Sequence, residues 1–282
     1  MRRIRVTLSY DGTDYYGWQV QPGLPTIQGV IESVLAQIES AEVKVEGSGR
    51  TDAGVHALGQ VAHLKLRTPT RFAPEQILRE LNNRLPSSIA VVELVPAPPR
   101  FHARHDAVSR AYFYQISTRK TALAKRYVWW VKEPLDTEPM RKAAALLAGR
   151  HDFGAFRAPD PSKPGESTIV VVDSAEIGLD EHLIVFRVEA SHFLWKMVRR
   201  LAGTLVKIGK GEITVEQFRS LLSGTSQTVL DIAAWTAPAS GLFLESIKYP
   251  EKLENKPKHR AEAPKSRKRE APLRASNSLG TQ

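Results

Sequence analysis

Along Arg3–Tyr10 the apolar residues Ile4, Val6 and Leu8 alternate with polar ones, and this period of two predicts a strand with one buried face. After a polar, aromatic loop over 11–19 the period changes. Ile27, Val30, Ile31, Val34, Leu35 and Ile38 recur at steps of three and four, a helical stripe that Thr26 can cap. Strands near 42–46, 60–66 and 89–95 follow, with a helix over 74–84 between the last two. A second set opens with a strand over 111–117 and continues with a helix over about 137–148 that ends at Gly149. Strands at 169–177 and 183–190, a long helix over about 193–208, a shorter one at 215–222 and a strand at 242–249 complete it.

This order is β-α-β-β-α-β-like rather than strictly alternating. It predicts an α+β fold: two ferredoxin-like-derived halves side by side, with mixed or antiparallel sheets, helices on the outer face and a cleft between them. The halves are expected at 1–105 and 106–250, followed by a tail at 251–282. The Pro-rich stretch 158–165 interrupts the second set and is expected to be a mobile loop.

The long helix carries two patterns. Leu194, Met197, Val198, Leu201, Leu205 and Ile208 form a stripe for packing. Lys196, Arg199, Arg200, Gly203 and Lys207 follow the same spacing on another face, which predicts a basic ridge with a gap at Gly203.

Composition narrows the chemistry. The 282 residues contain no cysteine, which removes disulfides, thiolate metal sites and a cysteine nucleophile. Neither a phosphate-binding Gly-x-x-x-x-Gly-Lys loop nor a dinucleotide glycine pattern occurs, and the eight histidines show no metal spacing. The N-terminal stretch lacks an apolar signal core and there is no long apolar run, so a cytoplasmic protein without a membrane span is expected. A formal charge of +10 suggests a polyanionic partner. Residues 251–282 hold nine Lys/Arg against four Glu, and the tail is too poor in apolar residues to fold.

The string Gly47-Ser-Gly-Arg-Thr-Asp-Ala-Gly-Val-His56 concentrates the candidate chemistry. Gly47 and Gly49 allow tight turning and Gly54 leaves space beyond Asp52, so a carboxylate stands in a glycine-rich loop beside a sheet. Alone, such a string reads as a β-turn.

Its company changes that reading. Gly49–His56 with Gly59-Gln-Val-Ala-His63 resembles the catalytic signature of the tRNA pseudouridine synthase A family. Tyr10–Gln19, Thr26-Ile-Gln28, Phe101-His-Ala-Arg104, Arg110-Ala-Tyr-Phe-Tyr114, His151-Asp-Phe153 with Phe156-Arg-Ala158, Met197-Val-Arg199 and Ala237–Leu244 are similar to its other motifs, in order, over residues 3–250. The resemblance implies isomerisation of uridine to pseudouridine in the anticodon arm of tRNA, at positions 38, 39 and 40. It implies a homodimer and no cofactor, because the reaction neither gains nor loses atoms. Asp52 is implied as the catalytic carboxylate and Arg199 as its ion-pair partner in a water-poor pocket. Tyr112 is implied to stack on the uracil and to assist proton removal, and Arg50 to help extrude the uridine. His102 and His105 are expected to face RNA or to be structural, and Trp129-Trp130 to be core or dimer packing. Two departures stand out: Arg200 where the family often has Asn, and Glu166-Ser-Thr-Ile169 where it tends to carry a cation. A phosphate contact by Arg200 could compensate.

Overall fold

The computed structural model describes residues 2–66, 72–159, 165–223 and 230–253. Most of the 158–165 stretch and all but the first residues of the basic tail lie outside the described residues.

Strand β1 (Arg2–Tyr10) is followed by α1 (Ile27–Glu39), β2 (Val45–Gly47), β3 (His56–Leu66), α2 (Pro74–Arg84) and β4 (Ile89–Pro96). Then come β5 (Ser109–Ser117), β6 (Trp129–Trp130), α3 (Thr137–Ala145), β7 (Gly149–Asp152), β8 (Ile169–Asp180) and β9 (Leu183–Ala190). Helices α4 (Met197–Gly209) and α5 (Val215–Leu222) precede the last strand, β10 (Leu242–Lys248). The fold is mixed α+β, with one large mixed sheet and five α-helices among the described residues.

Local chemistry explains most helix starts. Thr26 accepts from the Gly29 amide to begin α1, and Asp136 accepts from Glu138 to begin α3. Thr214 and Gln217 form a reciprocal capping box on α5. In β1 the even-numbered Ile4, Val6, Leu8 and Tyr10 are buried, as the alternation predicts. Strands β6 and β7 are too short to show a period and have no such signal. Trp129 packs edge-on to Tyr114 at the core margin, whereas Trp130 is exposed beneath Lys120.

The strands form a single sheet, in the order β4-β1-β3-β10-β5-β9-β8-β7, with β2 added on β3 and β6 on β5. Strand β10 makes this continuity. It runs parallel to β3 through His56 and Ala57 and antiparallel to β5, with Leu244 opposite Tyr112. The row Tyr10–Ala57–Leu244–Tyr112–Val188 therefore crosses five neighbouring strands on one face. Tyr112 stands only two strand spacings, roughly 10 Å, from the start of β3.

Two apolar clusters cover that face. One joins β1, α1, α2 and β4 through residues such as Leu8, Ile31, Leu35 and Leu81; the other joins β5, β8, β9 and α3–α5 around Tyr114, Phe186, Leu201 and Phe218. Each such side chain, fully buried, contributes roughly 1.5–3 kcal/mol. Tyr112 packs against both clusters.

Candidate active site

The segment 48–54 is fastened at nearly every residue. Ser48 donates its backbone N–H to the Val61 carbonyl in β3, and its hydroxyl donates to the Gln60 side-chain oxygen at 2.8 Å. The Gln60 amide in turn donates to the Gly49 carbonyl at 3.1 Å. Thr51 shares a 2.9 Å hydrogen bond with the Tyr10 hydroxyl, and its carbonyl accepts from the Trp18 amide. A turn closed by Val55 N–H on the Asp52 carbonyl carries Gly54 at a φ of 76°, where a side chain would be strained. Gly49 does not have that requirement: its φ is ordinary and the space around it is open. Arg110 extends the fastening. Its half-buried guanidinium donates to the carbonyls of Ser48, Arg104, Ala107 and Ser191, which ties the loop to the segment leading into α4.

Asp52 receives two donors from that segment. Arg199 Nη1 lies 3.3 Å from Oδ2, and the Trp195 indole N–H donates to Oδ1 at 3.1 Å. Arg199 is itself held, because its Nε donates to the Ala237 carbonyl at 2.7 Å while the Ala237 amide donates to the Arg199 carbonyl. The family motifs imply this pairing of Asp52 with Arg199. They also imply a water-poor pocket, yet the Asp52 side chain is 29% exposed and that of Arg199 16%. The carboxylate is thus reachable from solvent, and so from a substrate.

Tyr112 approaches the same carboxylate from β5. Burial pushes its phenol up to about 12, opposed by Arg110 and reinforced by the Asp52 charge. At neutral pH it is a neutral phenol, with Phe193 edge-on at 5.0 Å. Arg50 is exposed and lines a cavity of about 240 Å³ together with Trp18, Arg104 and His105.

The basic ridge does not form. Helix α4 begins at Met197, not near Phe193, because Lys196 takes a left-handed φ of 61°. Only Arg199 of the ridge reaches Asp52. Arg200 is 7% exposed and donates to the Arg157 carbonyl, so it is turned inward and no phosphate can meet it on the surface. The gap at Gly203 is filled by the chain itself, since a Cβ there would overlap the Trp235 carbonyl. Lys207 pairs with Glu212. Nearly every position of α4 is buried, so the helix has no solvent face for a stripe to occupy.

Among the described residues, one cluster has metal-like geometry: Glu46, His63 and His102. Hydrogen bonding argues against ligation. His63 Nδ1 accepts from the Ala103 amide, and His102 Nδ1 accepts from the amides of Arg104 and His105. Each neutral ring therefore carries its proton on Nε2, facing Glu46, and offers a metal no lone pair there. Burial and the nearby Arg3 hold His63 down to about 4, which keeps it neutral. His102 is part-exposed and also lines the cavity beside Arg50.

Trp195 and the Ala237 carbonyl are the members that sequence reasoning does not find. Trp195 adjoins the Met-Val-Arg motif, but no periodicity marks it, and a backbone carbonyl has no sequence signal at all.

Among the described residues, no helix is long and apolar enough to cross a membrane. The profile of the tRNA pseudouridine synthase family matches residues 7–106 and 143–250. The chain is 39% identical over 251 residues to tRNA pseudouridine synthase A of Thermoanaerobacter sp., covering 88% of this chain and 100% of that one. It is 42% identical over 251 residues to the Myxococcus xanthus protein of the same name, covering 88% and 92%. To the Agrobacterium fabrum protein so named it is 36% identical over 256 residues, covering 89% and 94%. The matched region takes in the Asp52 loop, α4 and the segment that holds Arg199, and on it the chain belongs to the tRNA pseudouridine synthase family, a family of isomerases.

Proposed function

We propose that this protein converts uridine to pseudouridine in the anticodon arm of tRNA, at positions 38, 39 and 40, with Asp52 as the catalytic carboxylate. The observation that carries this reading is the Asp52–Arg199 pair, half-open to solvent and assembled from residues 147 apart in sequence. The reaction breaks the N1–C1′ bond, turns the uracil and forms a C5–C1′ bond; the C5 proton is lost and N1 gains one. A carboxylate serves either by adding to the uracil ring or by trapping or stabilising the sugar cation as the glycosidic bond breaks. Arg199 favours the ionised form and fixes its orientation.

Tyr112, packed where the two clusters meet, offers its ring as a face for the extruded base. Its raised pKa favours stacking and hydrogen-bond donation over service as a resting base. Arg50, exposed beside the Asp52 loop, enters the stem as the base leaves the stack. A homodimer with tRNA lying across both subunits is part of the same reading.

The test is Asp52→Asn, which keeps the shape of the side chain and removes its charge. Pseudouridine formation in tRNA is expected to fall by more than about a thousandfold while tRNA binding survives. Retained turnover would overturn the assignment. Mapping pseudouridine in total RNA with and without the protein checks the three positions.

A further inference from the structure

We infer that Trp195 is a positioning residue for the carboxylate of Asp52; this rests on the reading of Asp52 as the catalyst. An aspartate held by one oxygen can still pivot about its last torsion. Arg199 holds Oδ2, and the Trp195 indole N–H, 3.1 Å from Oδ1, supplies the second anchor that fixes the carboxylate plane. Each carboxylate oxygen has more than one acceptor site, so Oδ1 keeps a lone pair for the reacting atom.

Four further observations separate this from ordinary packing. Trp195 is 46% exposed and belongs to no buried apolar cluster among the described residues, so the core does not need its ring. The next residue, Lys196, is held at a φ of 61°, a conformation unfavourable for a side-chain-bearing residue, at the turn that aims the indole. The Trp195 carbonyl accepts from the Ala158 amide at 2.9 Å, which fixes the main chain behind the ring. The Lys196 ammonium lies 5.2 Å from the indole centroid, a cation–π contact on the ring itself.

The discriminating variant is Trp195→Phe, which keeps an aromatic ring and removes the N–H. Because the position is exposed, the melting temperature should not change. A fall in kcat of about tenfold is expected, the scale of one hydrogen bond to a charged group, with the Kd for tRNA within twofold of the parent. An unchanged or raised kcat, or a loss confined to Kd, overturns the inference. A second readout does not depend on turnover. In 15N-labelled protein the Trp195 indole N–H signal, assigned by its disappearance in Trp195→Phe, should move in Asp52→Asn; a signal that stays in place overturns the contact. Run beside these, an Asp52→Asn variant that still forms pseudouridine would instead refute the reading of Asp52, so the two failures are distinguishable.

Discussion

The Asp52 loop and the polar face of α4 carry the same kinds of residue, glycines and charged side chains, and meet opposite fates. In the loop, 48–54, neighbouring residues act together. Gln60, Tyr10 and Arg110 hold the backbone so that one carboxylate projects outward. Along α4 the ridge residues separate. Arg199 turns to Asp52, Arg200 to the Arg157 carbonyl, Gly203 to the Trp235 carbonyl and Lys207 to Glu212. A loop pinned by buried polar partners keeps one accessible side, whereas a helix buried almost all round keeps none, and each of its sides faces a different neighbour. Charge on a helix therefore acquires meaning only from what surrounds it.

The contact at Gly203 gives the strongest way to break this contrast. Gly203→Ala places a methyl group on the Trp235 carbonyl and pushes the 235–237 segment outward, and with it the Ala237 carbonyl that holds Arg199. A loss of about 3–4 kcal/mol in denaturant midpoint experiments is expected, accompanied by loss of activity in the molecules that stay folded. A variant of parental stability would mean that the backbone contact is not tight.

Next comes the adjacent pair of arginines. Arg199→Met should lower kcat by about a hundredfold. Arg200→Met should leave kcat, tRNA affinity and the slope of affinity against salt unchanged, because an inward guanidinium neutralises no phosphate. A shallower salt slope for Arg200→Met would restore the ridge that the structure removes.

The smallest effect belongs to the loop. Gln60→Leu strips the Ser48 hydroxyl and the Gly49 carbonyl of their shared partner, and should cost about 1–3 kcal/mol. If the fastening of the loop is what aims Asp52, kcat falls as well, by more than Kd rises.

Much of the fold is legible before any coordinates. The alternation in Arg2–Tyr10 and the helical stripe of Ile27–Glu39 give those elements closely, because each buries one face against a single neighbouring layer. The start of β3 is misjudged by four residues. Its first residues are held by β10, which arrives from the far end of the chain. The failure on α4 has the same origin: periodicity reports how many faces are apolar, not which elements will cover the others.

For the site, residue types and motif order single out Asp52, Arg199, Tyr112 and Arg50, since the chemistry requires a carboxylate, a cation and an aromatic ring. The pairing of Asp52 with Arg199 is implied by the motifs; only the tertiary structure decided its geometry and its other members. It left Arg50 lining a separate cavity and brought in Trp195 and the Ala237 carbonyl. The sequence by itself determined the local elements and the inventory of functional groups, because both follow from side-chain chemistry and short-range spacing. The place of β10 between β3 and β5, and with it the geometry of the site, rests on hydrogen bonds between segments more than a hundred residues apart, and those exist only once the chain has folded.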